Sequence, residues 1–313
     1  MTMEVPRLLG IDIGGTKTAF VRALSDGTIV DRTVIASNAS DGPPVMLRRI
    51  VDTAREVIGH LPISHIGVSI GGPVSAETGM VLGPPNLPGW TNLPLARQLG
   101  EALGRPVRIE HDAKACALAE WQFGAGRGVG NLMFLTLGTG LGAGIVIDGR
   151  LVRGAGEAAG EIGHWRIASD GPLVYRKRGS LEGWASGTGL PLLAKHLHPE
   201  ALDRLKNGEE LHRRAEAGDA DAIDVIVRSG EALGKALALV IDLLGPERII
   251  LGSLAVRLGR RFAEPLIRAA EAEALPSSFA RCRIVLSELG ESIGDVAAIC
   301  VAMQLYSEEQ SAA

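Results

Sequence analysis

LLGIDIGGTKTAFVRA, residues 8–23, runs from a strand-like apolar stretch into a glycine pair and out into a second apolar strand. With the residues that follow, segment 7–35 reads as three strands joined by tight turns at Gly14-Gly15 and Asp26-Gly27. The pattern returns about 125 residues later in LMFLTLGTGLGAGIVIDGRLV, residues 132–152, as strand, glycine turn and strand. Two such units, each followed by mixed helices and strands, predict a duplicated α/β plan with one glycine turn per half.

Between and beyond the hairpins, periodicity predicts a helix over 44–59 with Val45, Ile50, Val51 and Val57 among its apolar positions. A strand follows over His65–Ile70, then a helix over Asn92–Leu103, a strand over Val107–Ile109 and a helix from Asp112 to about Phe123. Strands are expected at Leu132–Leu137 and Gly142–Ile147. The glycine-rich stretch 154–190 is irregular and long enough to suggest a functional loop. After it come a long amphipathic helix over Asp219–Leu244, stopped by Gly245 and Pro246, a buried-type strand over Arg248–Leu251 and a final helix over Ile293–Leu305.

Composition sets the broad class. The 313 residues are 46% hydrophobic, enough for one large domain or two ordinary ones. Thirty-two Lys and Arg against 36 Asp and Glu leave a formal charge of -4 without charge blocks, so nucleic acid is not an expected partner. The three cysteines, Cys116, Cys282 and Cys300, lie far apart and form no CxxC spacing, which argues against disulfides and a cysteine-rich zinc site. Residues 1–7 hold no apolar signal core, and the longest apolar stretch, around Ala236 to Leu244, is short and broken by Asp242. A reduced cytoplasmic protein without membrane contact is the expectation.

Neither glycine turn is a known nucleotide loop. LGIDIGGTKT lacks the second glycine in the register a P-loop requires, and LGTGLGAG continues as a strand where a dinucleotide fingerprint demands a helix. What remains is a pair of hairpins whose turns, Gly14, Gly15, Thr16 and Lys17 in one and Gly138, Thr139 and Gly140 in the other, expose backbone N–H groups and threonine hydroxyls. That chemistry suits a polyphosphate held from two sides. Asp12 then stands where the hydration shell of a Mg²⁺ ion needs a carboxylate. Either turn alone reads first as a plain tight turn; two of them, with polar Asp12, Thr16, Lys17 and Thr139 at the tips, favour the phosphate reading.

GIDIGGTKT, PNLPGW, HDAKACALAEWQFGAGRG, LTLGTGLGAGIVIDGRL and GEAAGEIGH, in this order along nearly the whole chain, resemble the ROK family of sugar kinases. The resemblance implies a two-lobed actin-like ATPase (ribonuclease H-like) fold of duplicated domains with a cleft between them. The lobes would be 1–111 plus 299–313 and 112–298. Members of the repressor branch carry an extra DNA-binding segment ahead of the first hairpin, which here starts at about residue 7, so the kinase branch is expected. The resemblance also implies ATP and Mg²⁺ as cofactors, a sugar and a nucleotide as ligands, and a homodimer.

Roles follow residue by residue. By resemblance Asp112 is the base that takes the proton from the attacking sugar hydroxyl, a step that needs one aligned carboxylate. An aspartate at a helix start is also an ordinary cap, and both can hold. Sugar contacts are implied for Glu161 and His164 of GEIGH and for Glu182 of GSLEGW, with Gly71, Gly72 and Asn86 lining the other side through loop shape. His164 would otherwise read as a buried, satisfied histidine. Gly252 and Ser253 of IILGSLAV are implied at the nucleotide.

Three departures from the family pattern bear on chemistry. Most ROK proteins carry a CxCGxxGC zinc motif ahead of the second glutamate, with the histidine of GEIGH as the remaining ligand. This chain reads VYRKRGSLEG there, and Tyr175, Arg176, Lys177 and Arg178 supply no thiolates, so structural zinc is not expected. Packing or hydrogen bonds must fix the loop, with Trp165 and Trp184 as candidates. His111 stands where the family usually has a sugar-binding asparagine, and imidazole reaches differently. Ser253 replaces a glycine that lets adenine approach, which keeps polyphosphate open as a donor. Cys116, one turn after Asp112 and flanked by alanines, reads as packing rather than as a nucleophile.

The expected activity is transfer of the γ-phosphate of ATP to the primary (C6) hydroxyl of a hexose, glucose first, then N-acetylmannosamine or N-acetylglucosamine. A non-catalytic sugar sensor and an actin- or chaperone-type ATPase are the readings from other classes.

Overall fold

The computed structural model describes residues 5 and 7–312. Residues 1–4 and Pro6, part of the segment read for a signal core, lie outside the described residues, as does Ala313. The chain forms two compact units. One holds the described residues up to Ala119 with Arg153–Glu157 and those from Glu291 onward; the other holds Glu120–Val152 and Ala158–Gly290.

The first unit is built on a five-stranded sheet of Leu8–Ile13, Lys17–Ala23, Ile29–Ala36, His65–Ile70 and Val107–His111, ordered third, second, first, fourth, fifth. The first three strands pair antiparallel through their tight turns, and the last two join parallel to the first. His65–Ile70 is buried at every position, as a strand covered on both faces must be.

One face carries Leu9, Ile11 and Ile13, which pack with Ile66, Val68 and Ile70 against the helices Pro43–Ile58 and Leu95–Leu103. On the other face lie Leu8, Gly10 and Asp12, because side chains alternate along a strand. The helix Ile293–Ala312 lies against that face. A Cβ on Gly67 would stand 2.2 Å from the Ala302 nitrogen, and one on Gly10 3.0 Å from Ile299 nitrogen, so glycine is what lets the helix backbone approach. Only then can Ala298, Ile299 and Ala302 be fully buried.

The second unit repeats the plan. Leu132–Leu137, Leu141–Ile147, Arg150–Leu151, Arg248–Leu251 and Arg283–Leu286 form a sheet in the same order, with the same antiparallel hairpins and parallel additions. Its core lies under the 25-residue helix Ala220–Leu244. Asp219 caps that helix by accepting from the nitrogens of Asp221 and Ala222, and Gly245 ends it in the left-handed region at φ 55. Gly230 and Gly234 bring it onto Arg260–Glu273, where a Cβ would meet the carbonyls of Phe262 and Leu266 at 2.5 and 2.2 Å.

Several expected boundaries shift. The helix placed at Asn92 begins at Leu95, since Asn92 has φ 53 and Pro94 occupies the cap. Within Pro43–Ile58, Val45 is 47% exposed and Met46 takes the core position. The strand ending at Ile109 continues to His111, and the last helix runs on to Ala312. The helix Asp112–Phe123 belongs to the first unit as far as Ala119 and to the second beyond it. No helix among the described residues is long and apolar enough to cross a membrane.

Candidate active site

In the first unit, strand alternation sets the stage. Asp12 pairs in register with Ser69, and Ser69 with Glu110, so three polar side chains form a row on the face of the final helix. Asp12 lies at the start of that helix, where a Cβ on Gly294 would come within 2.5 Å of its Oδ2. Burial, then the nearby charges of Asp112 and Asp295, push its carboxyl up to about 6, with Ser69 and Lys17 acting in the opposite direction.

Asp112 is the first residue of its helix, and its Oδ1 accepts from the Ala113 nitrogen at 2.7 Å. The carboxylate is therefore tethered and still 43% exposed. His111 shares the capping duty: the same Ala113 N–H lies 3.1 Å from its Nδ1, and that nitrogen also lies 3.2 Å from Asp112 Oδ1. The imidazole lies on Gly72, where a Cβ would meet its Cδ2 at 2.3 Å. Gly71 and Gly15 both border Asn86: a Cβ on Gly71 would stand 3.4 Å from its side-chain amide, and one on Gly15 2.8 Å from its backbone oxygen. Thus Gly15, Gly71 and Asn86 form one cluster, and Gly72, His111 and Asp112 another.

The turn at Gly14–Thr16 is held from behind. Gly14 donates to the Lys17 carbonyl, and the Ser37 hydroxyl donates to the Gly14 carbonyl at 2.6 Å. Under the His111–Asp112 junction lies a buried ionic network that the sequence reading missed. Glu110, fully buried, accepts from the His111 nitrogen at 2.9 Å and from Arg153, and Lys114 donates to the Glu157 carbonyl at 2.5 Å. A charged residue on the covered face of a strand was the available signal, but its partner comes from a return of the chain that no local pattern announces.

In the second unit, the turn Gly138–Gly140 is supported by Gly187 and Thr188. Gly187 donates to the Gly138 carbonyl at 2.8 Å, and the Thr188 hydroxyl to the Thr139 carbonyl at 2.7 Å. Ser253 opens the helix Ser253–Leu258, and its hydroxyl donates to the Leu137 carbonyl at 3.3 Å, next to the same turn. Gly252 is required by proximity, since a Cβ there would stand 2.6 Å from the Leu135 carbonyl.

Glu182 also belongs to this region. Its Oε2 accepts from the Leu141 nitrogen at 3.0 Å and from the Tyr175 hydroxyl at 2.6 Å, and the carboxylate borders Gly140 and Gly163. His164 is exposed rather than a buried core histidine, and the Tyr175 ring stacks on it with centroids 3.6 Å apart. Glu161 precedes the short turn Ile162–His164, close enough for its charge to act on Tyr175. Trp165 and Trp184 pack against the core as partly buried side chains. Cys116, Cys282 and Cys300 are all buried, and none of the three forms a disulfide.

The sequence model of the ROK family matches residues 8–304. A glucokinase from Halalkalibacterium halodurans is 33% identical over 303 residues, spanning 91% of this chain and 92% of its own. Among solved structures, a ROK hexokinase from Thermus thermophilus superimposes with a TM-score of 0.84 at 29% identity, covering 96% of this chain and 99% of the other. A ROK family glucokinase from Streptomyces griseus, in complex with glucose and AMPPNP, gives 0.79 at 29% identity over 95% and 99%. The fold is that of the actin-like ATPases.

Proposed function

The chain belongs to the ROK family and is a sugar phosphotransferase, and from that premise we propose that it transfers the γ-phosphate of ATP to the C6 hydroxyl of glucose. The observation that carries the mechanistic part is Asp112: a carboxylate tethered at a helix start by one backbone N–H, yet presented to solvent beside His111.

Phosphoryl transfer asks the protein mainly for alignment and charge neutralisation. In this reading Asp112 accepts the proton of the attacking hydroxyl, and the tether keeps its second oxygen available for that bond. Glu161, His164 and Glu182 grip the other sugar hydroxyls, and His111 offers Nε2 to one more. The turns Gly14–Lys17 and Gly138–Gly140 supply N–H groups to the phosphates, with Gly252 and Ser253 toward the base.

The donor set suits Mg²⁺. Asp12 offers hard carboxylate oxygens, and the neighbouring charges that raise its pKa are those a cation would relieve. When bound, Mg²⁺ would neutralise charge on the transferred group.

A coupled ADP-release assay over hexoses, acetylated hexosamines and polyols, run with ATP and with polyphosphate, tests the proposal. Glucose-dependent turnover with ATP is expected. Preference for N-acetylmannosamine or N-acetylglucosamine would move the substrate. Silence with every sugar and donor would make the chain a sugar-binding protein, and sugar-independent ADP release an ATPase.

A further inference from the structure

We propose that Tyr175 is a positioning residue that locks His164 and Glu182 together, in a loop that carries no thiolates. The inference rests on the reading of His164 and Glu182 as sugar contacts.

The lock is built by a two-residue hairpin. Leu173 pairs with Arg178 and Val174 with Lys177, and the connecting Tyr175 and Arg176 take φ values of 55 and 58. Such a turn favours glycine or asparagine, because a side chain in the left-handed region crowds its own backbone. A tyrosine there is held in a costly conformation, and strain of this kind persists only where surrounding contacts determine it.

Those contacts are two, and they act on different partners. The ring lies over the His164 imidazole at 3.6 Å between centroids and 20° between planes, which fixes the plane of the imidazole. The phenol donates to Glu182 Oε2 at 2.6 Å. Lys177 of the same hairpin donates to the His164 carbonyl, so the backbone beneath the imidazole is fixed from the same side.

At Glu182 the consequence is a division of labour between its oxygens. Both hydrogen bonds it accepts among the described residues, from Leu141 and from Tyr175, fall on Oε2. Gly140 and Gly163 border the same oxygen at 2.9 and 3.4 Å from their would-be Cβ positions. Oε1 is then the oxygen presented to a ligand. Tyr175 is 44% exposed, so burial does not explain its placement; the polar bond and the stack do. Its ionisation is pushed upward by desolvation first and by Glu182 second, which keeps the phenol a donor.

Because neither partner touches the reacting oxygen, loss of the lock weakens sugar binding in ground and transition states alike. KM rises while kcat stays. Tyr175→Phe keeps the stack and loses the hydroxyl; the expected rise in the sugar KM is about 3- to 10-fold, modest for a charged hydrogen bond because the site is part exposed. Tyr175→Ala loses both contacts and is expected to raise KM by about 30-fold, with kcat within about twofold in either variant.

Two controls separate this inference from the reading beneath it. In sugar-free protein, the His164 ring protons, assigned with His164→Gln, should be shifted upfield by the Tyr175 ring current in the wild type and in Tyr175→Phe, but not in Tyr175→Ala. Glu182→Gln should raise the sugar KM on its own, and adding Tyr175→Phe should raise it little further. If Glu182→Gln raises KM and neither Tyr175 variant does, or if the ring-current shift is absent, the lock is wrong and the sugar site stands. If Glu182→Gln leaves KM unchanged, the sugar-site reading fails and the lock loses its function with it.

Discussion

Gly72→Ala gives the sharpest test of how His111 is held. The added methyl would lie 2.3 Å from His111 Cδ2 and 2.6 Å from Nε2, where carbon contacts ordinarily sit at about 3.5–4.0 Å. Gly72 is not in the left-handed region, so the overlap is the effect to be read. The ring cannot yield without leaving the Ala113 N–H that it accepts at 3.1 Å, and Asp112 is tied to the same N–H. Overpacking of this size costs about 1–3 kcal/mol, read as lost stability in urea unfolding and, if the ring swings away, as a sugar KM raised by about 5- to 150-fold. His111→Ala removes the obstacle. The double variant should therefore be close to His111→Ala alone, with a coupling energy of about 1–3 kcal/mol. Additivity within about 0.5 kcal/mol would show that the imidazole does not rest on Gly72 and would refute the reasoning.

Asp112→Asn should lower turnover by about 10²- to 10⁴-fold while sugar affinity from calorimetry stays within about tenfold; equal loss of both would make Asp112 a binding group instead. Purified protein should carry far less than one zinc per chain by elemental analysis and keep its Tm in EDTA, whereas one tightly held zinc per chain would overturn the reading of VYRKRG. Asp12 binds its proton more tightly in the folded chain, about 6 against 3.8 in the unfolded one, so its contribution to stability is highest in acid and falls as pH rises through that window. Relative to Asp12→Asn, the wild type should lose up to about 3 kcal/mol between pH 4 and pH 7 in urea unfolding, and matching pH profiles would contradict it.

The two glycine hairpins were legible because each is local: alternating apolar residues, a turn that only small residues permit, and alternation again. The duplicated plan followed from them, and the identical strand order of the two sheets bears it out. Less legible was the strand Arg283–Leu286, only four residues long, and the helix Arg260–Glu273, whose internal Pro265 reads as a breaker. The last helix outran its apolar pattern, since the exposed SEEQ of 307–310 continues helical without a core to mark it. In the candidate site, residues embedded in motifs could be named from the sequence, but their partners could not. Tyr175 meets His164 across an irregular loop, and Arg153 meets Glu110 after a whole hairpin intervenes. Such contacts have no period, and only the fold brings them together.

The central claim is that this chain places a phosphate on a sugar hydroxyl. Incubation with ATP and glucose, followed by ³¹P and ¹H NMR of the product, tests it most directly. A single phosphomonoester at C6, formed in step with ADP, is the predicted result; ADP released with inorganic phosphate and no sugar ester would contradict it.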